Sequence, residues 1–463
     1  MTRLAVLFCG LLLAGGPCLA QSCHSAEYLC GGSPYLCGTT VPGVWLVKGN
    51  GSATSLFLAG NIIHSFCMDV DNRKIVFAVG GVPYASTCLP STGPDHGLYR
   101  YDPGAMTYET IYGPDSMACF APNKIHVDQN GDYVFSCWQR SGLTSRYCLL
   151  KADRAGTLTT VLSTASLGHP AFLDRSVERN IDTGHFLVSD GMSRTSPTTL
   201  NNPIHEVAAD GTVTTWSTGG KYGWIGSHAM PQDHGSGAIE GPHDRYLFQV
   251  KPGTTSRTIL ATLRVGTALA VNFHNFKFDL QSAAAKRWVG TPSTPGGGFT
   301  SWIAHLDRSG SASSIHVSGL PAGKAVRDND FAFYRGNHIA SLKTGKNRWD
   351  LLLSCPRSPG RAYAIAASIS GVRPAAPLPD GRRINLVPDA ITTATLNNWL
   401  PGIWNPGPLI LDANGEARGF LDLSSLPVPP GGIGMPVWIA MAVLDPGAPW
   451  GVKYLPDTIV IRI

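Results

Sequence analysis

The stretch NKIHVDQNGDYVFS, residues 123–136, has a close relative upstream, FCMDVDNRKIVFA at residues 66–78. Each stretch begins with an alternating apolar run, passes through Val-Asp into a polar turn, and ends in a second strand-like run. Alternation with a period of two residues predicts strands that have one buried and one exposed face. The two stretches therefore predict a repeating unit built from antiparallel strand pairs.

A second kind of strand pair recurs with a similar period. Its turn carries Asn or Asp close to Gly, which is typical of a tight antiparallel hairpin. The turn residues are Asn50, Asp102, Asp153, Asp210 and Asp307, and their spacings are 52, 51, 57 and 97. The last spacing is about two ordinary steps, so we predict a degenerate copy near QVKPGTTSRTIL, residues 249–260.

The first strand pairs show the same rhythm. Their apolar landmarks are Val70, Val127, Ile181, Phe278 and Phe333, spaced 57, 54, 97 and 55. Both series imply six units with an irregular fourth unit. A repeat of about 50 residues that holds four strands is typical of a β-propeller, because one such sheet cannot bury both of its faces alone.

The order of the strand pairs also predicts how the ring closes. The series begins with an outer pair at residues 43–60 and ends with an inner pair at about 327–343. We therefore expect the N-terminal hairpin to complete the last blade. Six blades are favoured, with seven as the alternative, because RWDLLLSCP (residues 348–356) is the one strand-like run that this scheme leaves unassigned.

These repeats resemble those of secreted NHL-type and regucalcin/gluconolactonase-like six-bladed propellers, over about residues 43–356. The resemblance lies in the hairpin pattern and is not specific for an activity. It implies a central tunnel whose mouth can bind a ligand or hold a divalent metal, and it brings lactonase and eliminative lyase chemistry into consideration. A regucalcin-like site would require an early Glu, which is missing from NIIHSFCMDV, residues 61–70.

The chain divides into four predicted segments. Residues 1–20 resemble a secretory signal peptide, with Arg3 before an apolar run and a small residue at the end, so we expect a secreted protein, extracellular or periplasmic. Residues 21–42 form a Cys-containing N-terminal segment, and residues 43–356 form the propeller. Residues 357–463 lose the repeat but keep short alternating runs, which predicts a small C-terminal β-sandwich.

The low content of charged residues bears on which kinds of partner the chain can bind. Charged residues make up only 14% and the formal net charge is +5, with no run of Lys or Arg that could follow a phosphate backbone. We therefore expect no nucleic-acid partner. After the predicted signal peptide, no apolar run is long enough to span a membrane.

Cysteines offer one structural prediction. Removal of Cys9 and Cys18 with the signal peptide leaves nine of the 11 cysteines, and an exported protein can form disulfides. A hairpin centred on residues 141–144 places Cys137 directly opposite Cys148, within reach of a cross-strand disulfide.

Polar residues cluster where the inner strands are expected to begin, at the mouth of the tunnel. From these we select His64, His169, His274 and Asp328 as candidate ligands of a divalent metal. The alternative is that they are solvated polar strand ends, which are common. Asn123, His228, Asn275 and Asn329 occupy similar positions.

The densest polar patch is GSHAMPQDHGSGAIEGPHDRY, residues 226–246, in the irregular unit. Together with the nearby Trp224, its histidines His228, His234 and His243 are candidate ligand-binding residues. A Trp ring stacks well on a sugar, and His can donate or accept hydrogen bonds. The alternative is a glycine-rich surface loop, and Trp residues elsewhere in the blades are expected to pack between them.

Two classes of function remain. We favour a secreted propeller that binds an extracellular glycan or protein on its propeller face. The alternative is a metal-dependent enzyme, a lyase or a lactonase-type hydrolase, with a His-rich tunnel site. The sequence contains no GxSxG motif, which together with the all-β pattern excludes an α/β-hydrolase.

Overall fold

The computed structural model describes residues 28–32, 43–58, 62–71, 73–80, 97–113, 120–141, 144–163, 177–189, 204–217, 238–243, 246–254, 257–262, 264–265, 268–269, 272–278, 288–293, 302–306, 311–318, 331–426 and 434–463. Nearly all the regular structure of these residues is β-strand, as the alternating pattern predicts. Within them, no helix is long and apolar enough to cross a membrane.

The strands before residue 334 form the propeller. In chain order they are β1 (Tyr28–Gly32), β2 (Gly43–Val47), β3 (Ala53–Leu58), β4 (Ile62–Met68), β5 (Ile75–Gly80), β6 (Gly97–Asp102), β7 (Thr107–Tyr112), β8 (Phe120–Val127), β9 (Tyr133–Ser141), β10 (Thr144–Ala152), β11 (Leu158–Ser163), β12 (Val177–Arg179), β13 (Phe186–Ser189), β14 (Ile204–Val207), β15 (Val213–Ser217), β16 (Ile239–His243), β17 (Tyr246–Val250), β18 (Arg257–Thr262), β19 (Arg264–Val265), β20 (Ala268–Leu269), β21 (Asn272–Phe278), β22 (Trp288–Ser293), β23 (Trp302–Leu306), β24 (Ser311–His316) and β25 (Phe331–Phe333).

These strands form six sheets, which are the blades of the propeller. Blades 1, 2 and 3 are β4–β7, β8–β11 and β12–β15, each with its four strands in chain order. Blade 4 shows β16–β18 among the described residues, and blade 5 is β21–β24 with β19 added in parallel to its outer strand and β20 beyond it. The prediction of an all-β six-bladed propeller is confirmed, and the degenerate copy predicted near residues 249–260 is the β17–β18 hairpin.

Blade 6 closes the ring. It runs in the order β25-β1-β2-β3, so one strand from the end of the propeller pairs with three strands from its beginning. The predicted closure by the N-terminal hairpin is therefore confirmed, with β1 from the segment 21–42 as the connecting strand. The predicted inner pair at 327–343 is wrong, because only β25 joins blade 6 and the chain then leaves the ring.

The outer hairpins explain why Asp and Gly recur at their turns. Asp153 Oδ1 accepts hydrogen bonds from the backbone N–H groups of Ala155 and Thr157, at 2.9 and 2.8 Å. Gly156 then adopts a φ of +90°, and a Cβ atom there would lie 1.9 Å from the carbonyl oxygen of Ile111 on the preceding blade. The outer turn of blade 2 thus rests on the outer strand of blade 1, at a distance that only Gly permits.

One detail of the repeat differs from the prediction. The turn of the inner pair covers residues 69–74 in blade 1 but 128–132 in blade 2, because Met68 pairs with Ile75 and Val127 pairs with Tyr133. The two Val-Asp pairs are therefore not structurally equivalent. The strand pairs recur as predicted, but their turns differ in length by one residue.

The chain after residue 337 forms a second unit, the C-terminal module. Its elements are β26 (His338–Gly345), β27 (Arg348–Ser354), β28 (Tyr363–Ser368), β29 (Ala376–Pro377), β30 (Arg383–Ile384), α1 (Ala390–Leu396), β31 (Trp404–Asn405), β32 (Glu416–Asp422), β33 (Pro436–Leu444), β34 (Val452–Tyr454) and β35 (Ile459–Arg462). One sheet has the order β26-β27-β32-β31, and the other has β28, β34 and β35 paired with β33. A shared apolar core, with Trp349, Ile365 and Ile439 among its members, joins the two sheets into a sandwich.

Two features of this module were not foreseen. The run at residues 348–356, considered for a seventh blade, is β27, which pairs with β32 across the boundary predicted after residue 356. The short helix α1 begins at a capping box, in which Asp389 accepts from the Thr392 N–H and the Thr392 hydroxyl accepts from the Asp389 N–H. Its Thr-rich sequence also fits a strand, so the pattern did not reveal it.

The cysteine register is as predicted. Cys137 and Cys148 lie directly opposite each other on β9 and β10, and both side chains are buried. The structure has them as free thiols, so the disulfide itself stays a prediction.

Candidate functional site

The innermost strands of adjacent blades meet around the central tunnel. Among the described residues, β25, β4, β8 and β12 contact one another in that order around the ring. The side chains of a regular strand point above and below its own sheet, toward the neighbouring blades. A regular innermost strand therefore presents mainly its backbone edge to the tunnel.

A buried ion cluster fixes blade 1 against blade 2 near the far ends of these strands. The carboxylate of Asp69 accepts two hydrogen bonds from Arg154, at 3.0 and 3.1 Å, and one from the Tyr133 hydroxyl at 3.0 Å. The Arg100 Nε atom lies 3.1 Å from Asp69 Oδ2. This set spans both blades, since Asp69 and Arg100 belong to blade 1 and Tyr133 and Arg154 to blade 2.

The cluster keeps Arg100 and Arg154 charged and Tyr133 protonated. Burial alone lowers the pKa of Arg100, but Tyr133 and the Asp69 carboxylate outweigh burial and raise it. For Arg154 the hydrogen bonds and charge of Asp69 likewise outweigh burial and raise its pKa. Burial, followed by the charge of Asp69, raises the pKa of Tyr133, so its hydroxyl stays protonated and donates. The cluster is a structural link between blades.

The C-terminal module contacts blades 1, 2 and 3 at the end of the tunnel at which β4, β8 and β12 finish. The Trp438 indole N–H donates to the Ile181 carbonyl at 2.7 Å, in the turn after β12. The Ser341 hydroxyl donates to the Gln129 carbonyl at 2.8 Å, in the turn after β8. His338 Nε2 lies 3.2 Å from the Val70 carbonyl, in the turn after β4.

Charged groups line this junction. Arg73 pairs with Glu416 across it, beside a cleft of about 80 Å³ whose lining includes His338. Burial lowers the pKa of His338. Arg179, the last residue of β12, donates to the Val460 carbonyl of β35, and burial lowers its pKa to about 10. These contacts belong to the attachment of the module, which leaves the opposite end of the tunnel as the candidate ligand site.

At that opposite end, the innermost strands of blades 1, 2 and 5 are bulged. In β4 the pairing shifts between Ile63 and Ser65, which leaves His64 as the extra residue. In β8 it shifts on both sides of Asn123, and in β21 it shifts between His274 and Lys277. A bulge adds a residue and re-aims the local chain, which is how an inner strand can turn a side chain toward a tunnel. We call this end of the tunnel the bulged mouth.

A hydrogen bond ties two of these bulges together. The Ile125 N–H on β8 donates to the Ser65 hydroxyl on β4 at 3.0 Å, and both residues are buried. The chain neighbours of this bonded pair are His64 in blade 1 and Lys124 in blade 2. The two extra positions therefore stand beside the same inter-blade contact. Lys124 was missed from the sequence, because only the strand register shows that it occupies a bulge.

The structure places three of the predicted residues at this end of the propeller. His64 and His274 are the third residues of β4 and β21, on the two blades that flank blade 6. His243 ends β16, next to the turn into β17. The Gly253 N–H in the β17–β18 turn donates to the Trp216 carbonyl of blade 3, a contact with the preceding blade like that of the outer turn of blade 2. The β17–β18 hairpin is therefore the outer pair of blade 4. It follows that β16 is the second strand of this blade, which ends at the mouth.

The remaining candidates lie outside the described residues. These are His169, Trp224, His228, His234 and Asp328. Within the described part of the chain, no group of three or more His, Cys, Asp or Glu residues is arranged to hold a metal. Tyr99, Tyr101, Trp216 and Trp349 are buried in the core, as expected for packing residues.

Comparison with known proteins gives similarities of fold only. No protein-family model matches the chain, and no curated protein matches it. Solved structures with similarity include a gluconolactonase from Xanthomonas campestris, at 11% identity and a TM-score of 0.33, covering 70% of this chain and 97% of that one. Another is a luciferin-regenerating enzyme, at 8% identity and a TM-score of 0.37, covering 64% and 85%. Hydrazine synthase from Kuenenia stuttgartiensis matches at 11% identity and a TM-score of 0.45, covering 96% and 68%.

Proposed function

We propose that this chain is a secreted ligand-binding β-propeller whose bulged mouth recognises an extracellular glycan or protein. One observation carries the proposal: the C-terminal module contacts blades 1, 2 and 3 at one end of the tunnel, and toward the opposite end the innermost strands are bulged, at His64 in β4, on both sides of Asn123 in β8 and directly after His274 in β21. Bulges interrupt the backbone ladder and are a known device for presenting side chains at functional sites. Bulged segments that carry polar residues thus occur on three separate blades.

The anchored module supports this arrangement in a second way. Its contacts with the turns after β4, β8 and β12 link blades 1, 2 and 3 at this end of the tunnel, and the ion cluster around Asp69 links blades 1 and 2. A site at the other end then has three blades that are tied together beneath it. Such support lowers the conformational entropy that the site loses on binding a ligand.

The second candidate function is that of a metal-dependent enzyme. It is favoured by the two histidines, His64 and His274, that occupy bulged inner strands on blades 1 and 5. Imidazoles are common ligands of divalent transition metals. A metal held there would polarise a carbonyl or lower the pKa of a bound water, as lactone hydrolysis or elimination requires.

Two measurements on the purified mature chain separate the candidates. Elemental analysis is expected to show no stoichiometric transition metal, and a thermal-shift screen is expected to find a saccharide that stabilises the chain. His64→Ala should lower the affinity for that saccharide by about tenfold, which corresponds to the loss of one good hydrogen bond to the ligand. His316→Ala serves as the matched control, because His316 is exposed on the outer strand of blade 5.

The opposite result is equally defined. One metal per chain, lost on His274→Ala and kept in His316→Ala, would reverse the ranking and favour the metal-dependent enzyme over the binding protein. A saccharide that binds equally well to wild type and His64→Ala would place the ligand elsewhere on the molecule.

A further inference from the structure

Arg179 carries a positive charge at the junction between blade 3 and the C-terminal module without a carboxylate partner. It ends β12, and its Nη2 atom donates to the Val460 carbonyl of β35 and, at 3.3 Å, to the Gln129 side-chain oxygen. Both of these acceptors are uncharged. Among the described residues, no Asp or Glu forms an ion pair with Arg179, and its buried Nε–H group has no hydrogen-bond partner.

A second guanidinium group lies close by. Arg462 ends β35, and its backbone N–H donates to the same Gln129 oxygen at 2.9 Å. Its side chain donates to the backbone carbonyls of Thr183 and Gly434, and no described carboxylate forms an ion pair with it. Burial and, to a smaller extent, the charge of Arg462 lower the pKa of Arg179, so the two cations act on each other.

The carboxylates whose charges reach these arginines are bound to other groups. Asp128 acts on Arg179, but its Oδ2 atom pairs with Lys151 at 3.2 Å. Glu206 acts on Arg462, but its Oε1 atom is in contact with three polar side chains of its own blade. The junction therefore concentrates two positive charges, and neither of them touches a negative one within the described part of the chain.

This imbalance indicates a missing counter-ion. A buried charge is unfavourable unless it is paired, and a buried donor without a partner in a folded protein calls for an ion or a water molecule to accept from it. A water would supply an acceptor for the Arg179 Nε–H group but no charge. An oxyanion would supply both, and the guanidinium group matches the geometry of carboxylate, sulfate and phosphate oxygens.

We propose that the junction binds a small oxyanion through the guanidinium groups of Arg179 and Arg462. The anion acts as a counter-ion that links the end of blade 3 to β35 of the module. Phosphate, sulfate and a simple carboxylate such as acetate share the required chemistry. The inference does not depend on the ligand proposed for the bulged mouth, because the two sites lie at opposite ends of the tunnel.

The test is a titration of the full mature chain with sodium phosphate, sodium sulfate and sodium acetate, each at an ionic strength held constant with sodium chloride. The melting temperature is followed at each concentration. Phosphate and sulfate also stabilise proteins without binding, because they are excluded from the protein surface. That general effect rises steadily with concentration, whereas stabilisation by a bound anion follows the occupancy of a site with a definite affinity.

Three variants locate the site. Arg179→Gln and Arg462→Gln each remove one of the two charges, and Arg383→Gln is the matched control, because Arg383 is an exposed arginine of β30 on the same module. Each variant is compared with and without the anion, so that its own change in stability cancels. Hydrogen exchange with and without the anion then shows which residues become protected.

At least one of the three anions is expected to raise the melting temperature with a fitted binding affinity, and the most effective one identifies the preferred oxyanion. Arg179→Gln and Arg462→Gln should each weaken that affinity by about tenfold, the loss of one charge-assisted hydrogen bond, while Arg383→Gln keeps the affinity of the wild type. The anion should slow amide exchange in residues 177–181 and 459–463 and leave residues 288–293 of blade 5 unchanged.

Three outcomes would overturn the inference. If none of the anions stabilises the chain more than sodium chloride does, the Arg179 Nε–H group faces water only. If stabilisation rises without a definite affinity and is equal in all variants, the anions act as general salts. If a fitted affinity survives in both Arg179→Gln and Arg462→Gln, the anion binds elsewhere on the molecule.

Discussion

Replacement of Asp69 by Asn tests whether the buried ion cluster holds blades 1 and 2 together. The Asp69 side chain is fully buried and faces two guanidinium groups, of which Arg100 is 7% exposed and Arg154 is 33% exposed. Asn keeps the size of the side chain but removes its charge, which leaves Arg100 without its buried carboxylate partner. Loss of one partner from a buried ion pair costs about 3–5 kcal/mol.

The exposure of Arg154 reduces this figure, because its interaction is partly screened by water. We therefore expect Asp69→Asn to lower the free energy of unfolding by about 3 kcal/mol, near the bottom of that range. The assay is urea unfolding of the full chain, followed by tryptophan fluorescence and by circular dichroism. Coincident transitions from the two probes are needed before a single free energy is assigned.

Glu109→Gln is the matched control. Glu109 pairs with the same Arg100 at 2.7 Å but is 55% exposed, so its loss should cost no more than about 1 kcal/mol. If Asp69→Asn is no more costly than Glu109→Gln, burial does not set the strength of this cluster and the reasoning is refuted. The double variant Asp69→Asn/Arg154→Gln should cost less than the sum of its parts, because the unpaired charge is then removed as well.

Three further outcomes are expected. Gly156→Ala should lower the free energy of unfolding by about 3 kcal/mol or more in the same assay, because its Cβ would meet the Ile111 carbonyl oxygen at 1.9 Å. Gly253→Ala is the control: with a φ of +69° and nothing within 4 Å, it should show only the backbone strain of about 1–2 kcal/mol. Similar losses of stability in the two variants would rule out the inter-blade contact. Trp438→Phe removes the hydrogen bond to Ile181 and should speed amide hydrogen exchange in residues 177–189, while exchange in blade 5 stays unchanged. Unaltered exchange in residues 177–189 would mean that this bond does not anchor the module. Although burial alone raises the pKa of Asp389, hydrogen bonds from the N–H groups of Thr392 and Ile369 lower this pKa to about 2, below the value of about 3.9 in an unfolded chain. The contribution of Asp389 to stability is therefore present above pH 4 and is lost as the pH falls toward 2. Asp389→Asn should flatten this acid dependence by about 1 kcal/mol, the value of one helix cap, and an unchanged acid profile would contradict the assignment.

The candidate site illustrates the limit of reasoning from sequence. His64 and His274 could be selected because both lie where an inner strand is expected to begin, at the mouth of the tunnel. Lys124 could not be selected, because a bulge leaves no mark in the amino-acid sequence and is seen only in how β8 pairs with β9. The hydrogen bond between Ile125 and Ser65, which are 60 positions apart, brings the chain at Lys124 next to the chain at His64. The residues around Ser65 give no sign of this contact in the sequence.

The amino-acid sequence by itself predicted a ring of four-stranded blades, favoured six of them over seven, and predicted that the N-terminal hairpin closes the ring. Both follow from local properties, namely two-residue alternation and the Asp and Gly of the outer turns, which act within a few residues. Tertiary structure alone decided that β26 and β27 leave the ring for the C-terminal module, that this module contacts blades 1, 2 and 3 at one end of the tunnel, and where the inner strands bulge. A strand such as β27 carries the same alternating pattern wherever it pairs, so its partner is chosen by which apolar faces can be buried together, and that choice is made between distant parts of the chain.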